Sequence, residues 1–259
     1  MNLTNDNLTI VENLQVAQQK IIDSTTTMDV VLSLLIAILS ILFAYLIYKN
    51  AEKIYNFSSH DGINYFKKSF LFYFLIEVVS IILLLVELSL FFVDITNVKY
   101  TELFLISLLV LGIISLFLFW FAVSYLLYSI FWKFYKEKLI TKSSKDVFLL
   151  KLLGLVGIHY ILYGISFLFA NWGSLVYLGI VYSLLILFIY KKTHSKKIFL
   201  QPHYLGLLLL ILLSIVSNIF NSFFYEANYP IIEYIVDSFT VLVYGIIFLK
   251  LQKWTKKLI

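Results

Sequence analysis

Glu233, Asp237, Thr240 and Tyr244 stand at successive spacings of 4, 3 and 4 in the run PIIEYIVDSFTVLVYGIIFL, so on a helix they form one stripe. The run is otherwise apolar and about 20 residues long, enough to cross roughly 30 Å of hydrocarbon. Carboxylates are costly inside a bilayer and usually face a bundle interior, a cavity or an ion path. The chemistry on offer is the binding of protons, of a cation or of a polar ligand.

Three further faces carry groups of the same kind. Tyr73, Glu77, Ser80 and Glu87 share one helical face, and His159, Tyr163 and Ser166 share another. The densest polar face holds Ser214, Ser217, Asn218, Asn221, Ser222 and Tyr225. Depth sorts the ionisable groups. Counted from the outer ends of their spans, Glu233 lies about 5 Å deep, Glu87 about 9 Å and Asp237 about 10 Å, with Glu77 and His159 near mid-membrane. No lysine lies at that depth beside the carboxylates. Either some are protonated at neutral pH, because burial and mutual repulsion disfavour the charge, or they face water or a bound cation. An interhelical hydrogen-bond network without a ligand competes with a binding site for Asp237 and the asparagines, since polar side chains also hold helices together.

The elements that must position these groups are membrane spans. At 61% hydrophobic, 14% charged and 18% aromatic over 259 residues, the chain has too little polar surface for a soluble domain. Seven spans are expected, at about 29 to 48, 69 to 93, 103 to 132, 147 to 170, 173 to 190, 204 to 225 and 230 to 250. The fold class is an all-α integral membrane protein, a seven-transmembrane-helix bundle. Ser33, Ala37, Ser40 and Ala44 in the first span, and Ser115, Ala122 and Ser129 in the third, are small residues suited to close helix packing. Spans two, four, six and seven should line the interior, with one and three packing it. Asn171-Trp172-Gly173 marks a very tight connection between spans four and five. The two prolines, Pro202 and Pro230, stand at span starts, so the helices read as continuous.

Lysine placement orients the bundle. With the amino terminus outside, Lys20 and Lys99 fall on the outer side and the other 18 of 20 lysines on the inner side. The outer segments carry Asp6, Glu12, Asp23, Asp29, Asp94, Glu102 and Glu226, so the outer mouth should attract cations. The inner face should attract anionic lipid headgroups. Residues 1–27 form an extracytoplasmic segment with an amphipathic stretch (Ile10, Val11, Leu14, Ala17, Ile21, Ile22) and the sequons Asn2-Leu3-Thr4 and Asn7-Leu8-Thr9. It lacks the cationic start and small-residue cleavage site of a removable leader. Residues 28–253 form the transmembrane domain, and 254–259 a cytoplasmic tail. The expected location is the cell membrane, multi-pass.

Several activities fail on residue types. The sequence has no cysteine, which removes disulfides, thiolate metal sites and thiol nucleophiles. With no arginine among its basic residues it offers no bidentate guanidinium clamp. His159 is the only histidine within a span, against the pair a membrane haem needs and the ligand set of a zinc hydrolase. No Gly-x-Ser-x-Gly turn is present. The expectation is therefore no enzyme and no cofactor, and lysine runs explained by topology leave no nucleic-acid partner. Span count and direction resemble those of microbial rhodopsins and G-protein-coupled receptors. The residues depart from both: the seventh span's first lysine is Lys250 and Val241 follows Asp237 by four, so no Schiff-base lysine is placed. Phe131-Trp132-Lys133-Phe134-Tyr135 ends the third span without an acid-arginine pair. No family is assigned on that likeness.

The reading is receptor-like or sensor-like, with an acid-lined polar site in the outer half of the bundle that signals through a membrane-protein partner. Its candidate ligand- or ion-binding residues are Glu77, Glu87, His159, Asn218, Asn221, Glu233, Asp237 and Tyr244. The alternatives are a proton- or cation-coupled transporter or channel, in which Glu87, Asp237 and Glu77 form successive stations inward, and an accessory structural subunit of a membrane complex.

Overall fold

A computed structural model describes residues 27–89, 98–135, 138, 141–169, 171–193 and 230–258. Among them the chain is all helical: α1 (Thr27–Ser58), α2 (Asp61–Ser89), α3 (Val98–Tyr135), α4 (Lys142–Phe169), α5 (Asn171–Thr193) and α6 (Pro230–Leu258). Among the described residues four helices are long and apolar enough to cross a membrane, over Val30–Ser58, Asp61–Val86, Leu103–Trp132 and Lys142–Ile165. By length and composition the chain is a multi-pass membrane protein. The amino-terminal amphipathic stretch and the expected sixth span, 204–225, lie outside the described residues.

Neighbours in sequence are neighbours in space. α1 packs against both α2 and α6, α2 against α3, α3 against α4, and α4 against α5. One buried stripe runs down α1 as Ser40, Ala44, Ile47, Ala51 and Ile54, alternating spacings of four and three. Its small residues permit close approach, as the sequence indicated. Ala122 plays that part on α3, where it is fully buried and its carbonyl accepts a 2.7 Å hydrogen bond from the Ser69 hydroxyl of α2. Away from this core, Leu103, Leu109 and Leu116 on α3 are 62%, 63% and 59% exposed, a surface suited to lipid chains.

The helices outrun the expected spans. α1 continues ten residues past position 48, α2 starts eight before 69, and α6 runs eight past 250 through the expected tail. α3 is 38 residues long, about 57 Å at the usual rise, so it too exceeds the hydrocarbon thickness. The physical reason is that lysine and tyrosine end a hydrophobic run without ending a helix. Lys49 sits 6.0 and 5.7 Å from the ring centroids of Tyr45 and Tyr48, and Lys67 5.0 Å from that of Tyr55. Trp254 packs on the core and Thr255 is buried.

Contacts between helices gather these lysine-rich ends. The α1–α2 turn is Ser59-His60, where Ser59 adopts a left-handed φ of 49° and its N–H donates to the Tyr55 carbonyl at 2.7 Å. Next to it Asp61 pairs with Lys145 of α4 at 2.8 Å, and the His60 ring meets Trp132 of α3 edge-on at 4.7 Å. Thr141 caps α4, its hydroxyl accepting the Ser144 N–H at 3.1 Å.

Candidate functional site

Two of the residues singled out from the sequence meet directly. The Tyr244 hydroxyl of α6 donates to Oε1 of Glu77 on α2 at 3.2 Å. Glu77 lies 16 residues into α2, about 24 Å from its lysine-rich start. Tyr244 is 2% exposed and its ring is fixed edge-on against Phe70 at 6.0 Å and Tyr73 at 6.3 Å. The rings hold the hydroxyl in place, and the hydroxyl gives the Glu77 carboxyl group a partner.

On the lysine-rich side of this pair the described residues pack into an apolar filling. Ala44, Ile47, Phe70, Leu126, Ile247 and Leu251 are each at most 3% exposed. Buried hydroxyls there are largely turned to backbone: Ser69 donates to Ala122, Ser129 to Leu126 and Thr255 to Leu251. Ser124 adds a buried hydroxyl with no partner among the described residues. Among the described residues this filling offers no succession of ion ligands between Glu77 and the helix ends.

His159 is seated elsewhere. Its ring stacks on Tyr177 of α5 at 5.5 Å, with Nδ1 3.1 Å from the Tyr177 hydroxyl, whose second partner is the His159 carbonyl at 3.4 Å. The tautomer decides which of the two groups donates. Tyr160 and Tyr182 flank the same imidazole at 5.5 and 6.1 Å. An aromatic seam connects the two regions, from Tyr244 through Tyr73, Phe119 and Tyr160 to His159, with centroid steps of 6.3, 6.2, 5.9 and 5.5 Å.

The remaining expected residues divide by location. Glu87 belongs to α2, and Glu233 and Asp237 to α6, but their side chains lie outside the described residues. Along α6, Asp237 precedes Tyr244 by two turns, about 10 Å farther from the lysine-rich end. Asn218 and Asn221 lie outside the described residues altogether. Among the described residues no three of histidine, cysteine, aspartate and glutamate are grouped to hold a metal ion.

Sequence reasoning missed Tyr160, Tyr177, Tyr182 and Phe119. The available signal was position: Tyr160 and Tyr182 stand inside their spans, too deep for an interfacial belt. No protein-family model, no curated protein and no solved structure matches the chain.

Proposed function

We propose that this chain is a receptor-like or sensor-like protein of the cell membrane, a seven-helix bundle with its amino terminus outside and its carboxyl terminus in the cytoplasm. Its acid-lined site occupies the outer half, with Glu233, Asp237 and Glu87 near the mouth and the Glu77–Tyr244 pair as its floor. The ligand is a small cation, a proton or a polar molecule bearing a cationic group. A membrane-protein partner carries the signal onward, and no catalysis is involved.

What supports this reading is that the Glu77–Tyr244 bond stands beside an apolar filling among the described residues on the lysine-rich side. A carboxyl group at the bottom of a polar face can report occupancy by shifting its hydrogen bond to Tyr244, which couples α2 to α6. A conducting protein would instead need polar stations below Glu77, where Phe70, Ile47 and Ile247 stand. The thermal stability of the purified protein, measured across pH and across added monovalent and divalent cations, tests the reading. Stabilisation that disappears in Asp237→Asn and is reduced in Glu77→Gln is the expected result. A response identical in wild type and both variants sinks it.

A further inference from the structure

The seam between α2 and α3 carries a feature that the outer site does not use. The Lys68 ammonium lies 5.6 Å from the ring centroids of both Tyr65 and Tyr125. Below it a ladder of near-parallel rings climbs from the helix ends into the membrane. Tyr65 and Tyr125 stack at 15°, Tyr125 and Phe72 at 11°, and Phe72 and Phe121 at 21°. The ladder continues through Trp120 to Phe117, each step at 30°, and Phe117 is 49% exposed. Elsewhere ring contacts are often tilted or edge-on, as at Tyr244.

Two lysines near these helix ends are paired with carboxylates, whereas Lys67 and Lys68 sit over tyrosine rings. Lys49 is paired with Glu52 at 3.0 Å and Lys145 with Asp61 at 2.8 Å. Among the described residues Lys68 has no carboxylate partner. It is positioned by two rings, and its charge is left for an anion from outside. The exposed Asp146 of α4 acts electrostatically on Tyr125 and opposes an anion there, without pairing with Lys68. Lys68 is also the last cation before the apolar run of α2, the depth at which lipid phosphates lie.

We infer that this seam binds one anionic phospholipid, its phosphate over Lys68 and the Tyr65 and Tyr125 hydroxyls, and an acyl chain along Phe72, Phe121 and Phe117. The ammonium supplies charge, the phenols supply donors to phosphate oxygens, and the edges of the stacked rings with the exposed Phe117 supply apolar surface for a methylene chain. This narrows the general attraction of a lysine-rich face for anionic membranes to one site. It rests on the chain crossing a membrane and stands independently of any sensing role.

The test uses native mass spectrometry of the full chain, delipidated in detergent and titrated with phosphatidylglycerol or phosphatidylcholine of matched acyl chains. Wild type should retain phosphatidylglycerol preferentially. Lys68→Gln should weaken that retention about fivefold, and Phe72→Leu should weaken both lipids. Lys68→Arg keeps the charge and should retain binding, which separates loss of charge from loss of fold. Lys256→Gln, at an exposed lysine of α6, should leave binding unchanged. Equal losses in Lys68→Gln and Lys256→Gln would reduce the effect to diffuse attraction and overturn the site. So would loss in Lys68→Arg equal to that in Lys68→Gln, or displacement of the lipid by inorganic phosphate alone.

Discussion

Removing the Tyr244 hydroxyl isolates the hydrogen bond that joins the second and last expected spans. Tyr244→Phe keeps the ring against Phe70 and Tyr73 and deletes only the 3.2 Å bond to Glu77. Interhelical hydrogen bonds in membrane proteins average about 0.6 kcal/mol and reach about 1.7. Tyr244 is 2% exposed, so the bond belongs in the upper part of that range, and a loss of about 1 kcal/mol follows. In a chain of this size that lowers the melting temperature by about 2–4 °C. Glu77→Met should cost a similar amount, because it leaves the buried hydroxyl without its acceptor. The double variant replaces both partners by apolar groups, so it should recover most of one loss and give a coupling near 1 kcal/mol. Glu77→Gln retains a carbonyl acceptor and should cost less than either. Thermal unfolding of the four proteins in one detergent measures the cycle. Additivity within about 0.3 kcal/mol would mean that the bond contributes nothing and that Glu77 is held by other groups.

Two glycines on α4 give a paired test of the α3–α4 contact. A Cβ at Gly157 would meet Trp120 Cζ2 at 3.0 Å, while the indole is anchored by its 2.8 Å bond to the Leu153 carbonyl. Gly157→Ala should therefore cost about 1–3 kcal/mol in thermal unfolding and shift the tryptophan emission. Gly154 has no atom within 4 Å of its added Cβ, and Gly154→Ala should be neutral or stabilising by up to about 1 kcal/mol. At the α1–α2 turn, Ser59→Gly should raise stability by about 0.5–1 kcal/mol, since glycine adopts the left-handed φ of 49° without a Cβ penalty. Urea or thermal unfolding reads this directly, and a loss of stability would show that the Ser59 side chain contributes more than its backbone costs.

Periodicity made the membrane class and the helix faces legible. The 4, 3, 4 stripe of the last span continues downward through Ile247 and Leu251, the face that packs into the core around Tyr244. Small residues at Ser40, Ala44 and Ala122 likewise marked close approaches, because steric access is a property of single residue types. The pairing of Glu77 with Tyr244 was not legible, since it depends on the relative heights of two helices 167 positions apart. His159 appeared to share a polar face with Tyr163 and Ser166, yet its strongest partner is Tyr177 on the next helix. A single face cannot say which neighbour it meets. Helix ends were missed for a different reason: hydropathy falls at Lys49, Lys67 and Lys250, whereas backbone hydrogen bonding and lysine–tyrosine contacts carry the helices onward.

The apolar filling below Glu77 is the central claim, and ion movement tests it most directly. Purified protein in liposomes should pass no protons or monovalent cations above the protein-free background, under an imposed pH or potential gradient, in wild type and in Glu77→Gln alike. Flux in wild type that vanishes in Glu77→Gln would contradict the account and place Glu77 on a transport path.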